Sequence, residues 1–269
     1  MGYQHLEIET AEYVATLWLN RPEKRNALSE DMWADLPAAI ADLDDDNSVR
    51  VVVLAGRGPA FSVGIDLNML TELHTGGESS ADSNMKLYQT IQRLQRTITC
   101  LAKSPKPVIA AVHGYCLGAG VDLITACDIR LAAADAIFSV RETRMGLVAD
   151  VGSLQRLPSI VGSGVTAEMA YTGGDFDANW AKDRGLVNDV YEDHEAVMGA
   201  ALQLAKDIAA NSPLVTQGIK KVLAAADGQT VEEALDYVAQ WNSSFLMSND
   251  LMEAISAFME QREPDFKGN

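Results

Sequence analysis

Cysteine and histidine are scarce in this sequence, and neither is arranged for chemistry. The 269 residues include only three cysteines, Cys100, Cys116 and Cys127, with no CxxC pair. Scattered on apolar segments, they read as reduced core thiols rather than a disulfide framework. The four histidines, His5, His74, His113 and His194, are equally dispersed and lack metal-ligand spacing, so no metal site is expected. No run of about 18 apolar residues occurs, which predicts no transmembrane helix. The N-terminal MGYQHLEIET has neither the basic nor the apolar region of a signal peptide, and the C-terminal FKGN is not a peroxisomal tripeptide. The expected location is therefore cytoplasmic. Positive charge is also in deficit: 21 Lys and Arg stand against 38 Asp and Glu, a net charge of -17. Such a surface repels nucleic acid and anionic membranes, and neither is expected as a partner. Two small basic clusters remain, Arg21/Lys24/Arg25 and Lys103/Lys106, each readable as a solvated loop or as a local anion site.

What is present is a long alternation of strand-like and helix-like patterns. Residues 3–20 read as two strands, with Val14, Thr16 and Trp18 alternating against Tyr13, Ala15, Leu17 and Leu19. Ser29 is placed to cap a helix through Leu43, with Glu30 and Asp31 in the first turn and a stripe of Met32, Leu36, Ile40 and Leu43. Pro37 sits inside that stripe and is expected to kink or interrupt it. Val49–Gly56 is a continuous apolar run, the pattern of a strand covered on both faces. His74–Ser83 has no period and reads as a mobile loop, and Met85–Ala102 reads as a long helix. A buried strand, Val108–Val112, leads through a Gly-rich turn to a short helix over Val121–Ala126. Further strands lie in DIRLAA, AIFSV and Leu186–Tyr191. The last helices are expected at Glu195–Ala210, Pro213–Ala226, Thr230–Met247 and Asp250–Arg262. The fold class is α/β: a core over residues 1–210 followed by a helical region over 211–269.

Two strand-to-helix turns carry the candidate chemistry. The first is Phe61-Ser62-Val63-Gly64-Ile65-Asp66 and the second His113-Gly114-Tyr115-Cys116-Leu117-Gly118-Ala119-Gly120. Each puts small residues where a buried strand ends and a helix begins, so free backbone N–H groups point outward. Two converging donors are the minimum for an oxyanion hole. Three acids follow: Asp122 in GVDLI, Glu142 in VRETRMG and Asp150 in LVADVG. A carboxylate among apolar neighbours is costly unless paired or functional. Taken singly, each also has a structural reading. Asp122 suits a helix-start acid satisfied by backbone N–H groups, Glu142 an ion pair with Arg141 or Arg144, and Asp150 an N-cap for GSLQRL.

The segment AVHGYCLGAGVDLITACDIRLAAADAIFSVRETRMGLVADVGSLQRLPSIVG resembles the core of the enoyl-CoA hydratase/isomerase (crotonase) family. NRPEKRNALS, AFSVGIDL, YTGGDFDANWAKDRGLVNDVY and FMEQREPDFKG resemble its flanking blocks, so the likeness spans nearly the whole chain. It implies a crotonase-like β-β-α superhelix core with a helical C-terminal region. It also implies an acyl-CoA thioester substrate, no cofactor beyond the coenzyme A of that substrate, and a homotrimer or homohexamer packed through the C-terminal helices. The resemblance places the thioester oxygen on the N–H groups of Ile65 and Ala119, where the family usually has Gly at the second position. It places coenzyme A along Arg25 and Ala27, beside Gly64, Asp66 and Leu67 and near Gly118. The basic cluster Arg21/Lys24/Arg25 could then neutralise its phosphates.

Within the family, the hydratases carry glutamates at the positions of Asp122 and Glu142 and no acid at Asp150. The triad Asp122, Glu142 and Asp150 is instead similar to the Δ3,5-Δ2,4-dienoyl-CoA isomerase subgroup. A diene shift loses a proton beside the thioester and gains one at a remote carbon, which two carboxyl groups can serve. The resemblance thus implies Asp150 as base at C2, Glu142 as acid at C6 and Asp122 as an orienting or charge-tuning group. Two other readings stand beside it: 2-enoyl-CoA hydration by Asp122 and Glu142, and a non-catalytic scaffold or RNA-binding protein. The pocket wall is expected to draw on His74–Ser83, Met69 and Leu70.

Overall fold

In the computed structural model, residues 2–72 and 79–269 are described. Strands β1 (Leu6–Ala11) and β2 (Val14–Leu19) form a hairpin, and α1 spans Glu30–Asp45. Strand β3 (Val51–Gly56) is followed by α2 (Leu67–Glu72) and the long α3 (Ser80–Lys103). Next come β4 (Val108–Val112), β5 (Tyr115–Leu117), α4 (Ala119–Thr125), β6 (Ile129–Ala133) and β7 (Ile137–Ser139). Helices α5 (Ser153–Val161) and α6 (Ser163–Thr172), strand β8 (Phe176–Asp177), helix α7 (Ala178–Asp183) and strand β9 (Asp189–Tyr191) complete the core. Helices α8 (His194–Ala209), α9 (Pro213–Ala226), α10 (Val231–Phe245) and α11 (Asn249–Glu260) follow. The hairpin, the buried β3 and β4 and the helical last third are as the sequence pattern predicts. The expected loop His74–Ser83 is corrected at its end: Ser80–Ser83 already belong to α3, with Ser79 as its N-cap. The rest of that expectation falls mostly outside the described residues.

One sheet has the order β1-β2-β3-β4-β6-β9, parallel except for the β1–β2 hairpin, and a second has the order β5-β7-β8. Alternation divides the large sheet into two cores. Val51, Val53, Ile109 and Ala111 face Val197, Ala201 and Ala205 of α8. Val52, Leu54, Val108 and Ala110 face the other way, into a cluster with residues of α1, α3 and α4. Both faces of β3 and β4 are thus covered, which is why these strands read as unbroken apolar runs. Parallel packing also brings the C-terminal ends of β3 and β4 together, and the two Gly-rich turns leave from that edge.

Pro37 neither ends nor interrupts α1, which is continuous through Asp45 and capped by Ser29 as expected. A proline at this position removes the N–H that would reach the carbonyl of Trp33. Thr97 of α3 fills the gap, donating its hydroxyl to Trp33 O at 2.9 Å. At the far end of α1, the Lys106 ammonium donates to Leu43 O and, at 2.7 Å, to Asp46 O. Lys106 is therefore a buried helix terminator, neither solvated nor available to an anionic ligand. After α8, the tail folds back on the C-terminal helices: buried Asp250 accepts from the hydroxyl of Ser212 and from the amides of Lys267 at 2.8 Å and Gly268 at 3.0 Å.

If Thr97 replaces the missing amide of Pro37, Thr97→Val leaves a buried carbonyl unpaired and costs about 1–3 kcal/mol in denaturant unfolding. Pro37→Ala, which restores an intrahelical donor, then recovers part of that loss when the two are combined. Simple additivity of the two changes would count against the pairing.

Candidate active site

The two turns are welded by main-chain hydrogen bonds. Phe61 N–H donates to His113 O at 2.9 Å, Ser62 N–H to Tyr115 O at 2.9 Å, and Leu117 N–H to Ser62 O at 3.0 Å. A third segment joins them. Leu28 N–H donates to Gly64 O at 2.8 Å and Asp66 N–H returns to Leu28 O at 3.0 Å. In such a bridge the intervening residue turns its polar groups the other way. Ile65 N–H accordingly has no protein acceptor among the described residues. Neither does Ala119 N–H, the first amide of α4. Gly64 has φ +91°, and a Cβ there would lie 2.8 Å from Leu117 O and 3.3 Å from Ala119 N. Only glycine lets the turns approach this closely. Ala119, by contrast, has helical backbone angles, so its methyl group in place of the family's usual glycine leaves the donor intact.

A cleft of about 600 Å³ opens over these amides. Its walls include Ala27, Gly64, Ile65, Asp66, Leu67, Gly118, Ala119, Glu142 and Asp150, nine of the eleven expected site residues. Arg25 and Asp122 are not among the wall residues. Arg25 lies 5.9 Å from the Tyr115 ring centroid and lends its carbonyl to Val63 N–H. Arg21 is also drawn away from solvent, pairing with Asp66 at 2.5 Å and donating to Ala27 O at 3.2 Å. Lys24 is the member of that basic cluster in the cleft wall. The apolar wall comes largely from one face of α3, with Leu87, Ile91 and Leu94, joined by Trp33, Leu147 and Val151. Met69, expected in the wall, is buried in the main core instead. Periodicity had identified α3 as a helix; its partner face was not visible until the fold brought it over the turns.

The acids differ in depth. Asp122, on the wholly buried α4, is 0% exposed. Its Oδ1 accepts from Ser153 N–H, the first amide of α5, and its Oδ2 has no partner. The satisfying amide thus comes from a neighbouring helix, not from Asp122's own. Burial, then the Glu142 charge, pushes the Asp122 carboxyl up to about 7. Glu142 is held beside Gly118, where a Cβ would lie 3.1 Å from Glu142 Oε1. Its ion-pair reading is overturned: Arg141 pairs with Asp175, and Glu142 Oε2 is buried without a partner. Burial, and secondarily the charge of Asp150, raises the Glu142 carboxyl above its ordinary range. Asp150 is the most open of the three and is raised by partial burial. It is not an N-cap, because Gly152 holds that position without a side-chain bond. Instead Gln95 of α3 donates to Asp150 O at 2.7 Å. Sequence reading missed Gln95 and Ser153, because polar residues are common on both helices and nothing local sets these two apart. Among the described residues, no group of three or more His, Cys, Asp and Glu is placed to hold a metal ion.

Known proteins resemble this chain along its length. The sequence profile described as "Enoyl-CoA hydratase/isomerase" matches residues 9–269. A peroxisomal Delta(3,5)-Delta(2,4)-dienoyl-CoA isomerase of Arabidopsis thaliana is 45% identical over 271 residues, covering 98% of this chain and 98% of the relative. A mitochondrial protein of the same name from Dictyostelium discoideum is 42% identical, covering 99% of this chain and 92% of the relative. The crystal structure of an enoyl-CoA hydratase from Bacillus anthracis superposes with a TM-score of 0.90 at 29% identity, covering 99% of this chain and 100% of that one. The crotonase-like α/β core with a helical C-terminal region is therefore the fold of this chain. No helix among the described residues is long and apolar enough to cross a membrane. The organellar names of the relatives do not support the expected cytoplasmic location.

The Asp122 carboxyl gives a stability prediction with a defined sign. Its folded-state value of about 7 lies above its ordinary 3.8. The folded chain therefore loses stability as pH rises through that window, where the unfolded chain has already released the proton. Asp122→Asn keeps an acceptor for Ser153 N–H and removes the charge. Its melting temperature should exceed the parent's at about pH 8, and the gap should close toward about pH 4. A gap that widens on acidification would show that Asp122 is stabilised as the anion.

Proposed function

The chain belongs to the enoyl-CoA hydratase/isomerase family, and from that premise we propose that it converts 3,5-dienoyl-CoA thioesters into 2,4-dienoyl-CoA thioesters. One observation carries the reading. Two carboxyl groups of unequal burial, Glu142 and Asp150, line a single cleft above two unsatisfied amides, Ile65 N–H and Ala119 N–H. The thioester carbonyl accepts from those amides. Asp150, the more open acid, takes a proton from C2, and the electron pair delocalises through the diene onto the thioester oxygen. The amides hold that dienolate oxygen. Such preorganised donors typically contribute about 10²–10³ in rate apiece. Glu142, buried and raised, is suited to arrive protonated and gives its proton to C6. The double bonds then lie at C2 and C4. Proton count is unchanged, and the exposed Asp150 returns its proton through solvent while Glu142 regains one. No cofactor takes part; coenzyme A belongs to the substrate.

For the coenzyme A portion we propose the edge formed by Lys24, Arg25, Ala27, Asp66 and Leu67. With Arg21 occupied by Asp66, the phosphates would fall to Lys24 and Arg25. The acyl chain would run along Leu87, Ile91 and Leu94 of α3. A hydratase would hold water between Asp122 and Glu142. The full burial of Asp122, outside the cleft walls, argues for isomerisation over that alternative. The net charge of -17 argues against an RNA-binding role.

A homotrimer or homohexamer is proposed on the C-terminal helices, where Ile219, Leu223, Leu235, Phe245 and Phe258 are exposed. Surfaces of this kind are expected to be covered by a partner. Sedimentation of the purified chain should give a multiple of three; a monomer would remove this assignment.

The catalytic reading is tested by giving the protein a 3,5-dienoyl-CoA and, separately, a 2-enoyl-CoA. The conjugated 2,4-dienoyl chromophore should appear with the first. Asp150→Asn should suppress it by about 10²-fold or more. Loss of enoyl absorbance without diene formation, unaffected by Asp150→Asn, would identify a hydratase.

A further inference from the structure

We propose that Arg156 is a positioning residue for the acid cluster: its guanidinium clamps the turn between Asp150 and Ser153 and presents an uncommitted positive charge to Asp122. Three contacts define the clamp. Gly152 has φ +135°, and a Cβ placed on it would stand 1.8 Å from Arg156 Nη1 and 2.9 Å from its Cζ, so the end of the guanidinium occupies the space a side chain would need. Arg156 Nη2 donates to Thr99 Oγ1 at 2.9 Å. One turn earlier on α3, Gln95 Nε2 donates to Asp150 O at 2.7 Å. Gln95 and Thr99 are spaced i, i+4 and so share a face of α3. That face holds both ends of the segment from Asp150 to Arg156. Within the segment, Asp150 lines the cleft, and Ser153 supplies the amide that Asp122 accepts.

The charge is placed with equal economy. Arg156 makes no ion pair within 4.0 Å among the described residues, and its Nη1 is buried without an acceptor. A purely structural arginine would be expected to use its donors, since leaving one unpaired in the interior is costly. Asp122 Oδ2, Glu142 Oε2 and Ser153 Oγ are likewise buried and unpartnered. Facing Asp122 are Glu142 from the segment after β7, Arg156 from α5 and the Cys116 thiol from β5. Asp150 acts in turn on Glu142, and Cys127 on Arg156. Against the burial of Asp122 stand first hydrogen bonding from Ser153 and then the charge of Arg156. The guanidinium thus favours the charged form of Asp122 while fixing the backbone that carries Asp150.

The role in turnover rests on the isomerase reading, but the effect on Asp122 does not, and the two are measured separately. Without substrate, the Asp122 carboxyl is followed by infrared difference spectra of each chain against the same chain carrying Asp122→Asn. In Arg156→Gln the Asp122 midpoint should rise by about one unit, because a nearby cation is lost. Arg156→Lys should hold most of the original midpoint. Thr99→Val, which keeps the charge but loosens its anchor, should move it part of the way and serves if Arg156→Gln does not fold. With 3,5-dienoyl-CoA, Arg156→Gln should lower kcat about tenfold with KM within about twofold, and shift the kcat–pH profile upward. Arg156→Lys should recover most of that kcat. An Asp122 midpoint unmoved in Arg156→Gln, or in Thr99→Val where that variant must stand in, would overturn the proposal. A parent chain that leaves 3,5-dienoyl-CoA unchanged would instead overturn the isomerase reading, and the infrared result would still decide the role of Arg156.

Discussion

The approach of Gly64 to the Leu117 carbonyl and the Ala119 amide is the contact on which the rest of the site depends. It requires that β3 and β4 lie side by side and parallel, so that both chains leave the sheet at one edge. It also requires glycine with a positive φ at the crossing, since any side chain would meet main-chain oxygen. Buried Asn26 supports the crossing from outside. It accepts from Arg21 N–H at 2.8 Å and donates to Arg57 O at 2.9 Å and Ala60 O at 2.8 Å. The side chain of one residue thus ties its own loop to the loop after β3, and the amides of Ile65 and Ala119 are left without protein acceptors at the cleft. A loop-built site gains rigidity here from main-chain bonds and from the Asn26 side chain.

Around that contact the protein accumulates electrostatic cost. Three acids stand close together with two of their oxygens buried and unpartnered, and all three are raised above the ordinary carboxyl range. Burial is the largest cause in each case, and mutual charge adds to it for Asp122 and Glu142. A fold selected for stability alone would not assemble such a group. Stability is supplied elsewhere, by sheet faces covered on both sides, by the Thr97 bond that accommodates Pro37 and by Lys106 at the end of α1.

Several local signals carried their meaning without tertiary context. The alternation in Val14–Leu19, the unbroken run of Val51–Leu54, the Ser29 cap and the Gly-rich turns each reflect the chain's own geometry over a few residues. The motif strings from His113 to Asp150 likewise pointed to the family, because the turn and its acids lie close together along the chain. Residue types and short spacings are enough where the physical constraint is itself local.

The partners across space were a different matter. Nothing near Asp122 in sequence says that its acceptor will be met by Ser153 N–H, or that Glu142 will go without an arginine while Arg141 turns to Asp175. Nor does the basic cluster at Arg21 reveal that its first member is taken by Asp66, 45 residues away. Lys106 read as a solvated charge or an anion site and proved to be a buried cap, and Pro37 read as a kink or an interruption and proved to leave the helix continuous, with a hydroxyl from α3 supplied to the freed carbonyl. The sequence by itself determined most of the strands and long helices, the two Gly-rich turns and where the acids stand along the chain. Only the tertiary structure decided which acid is buried, which is open and which cations are already committed, because burial and pairing depend on distant segments packing into the same space.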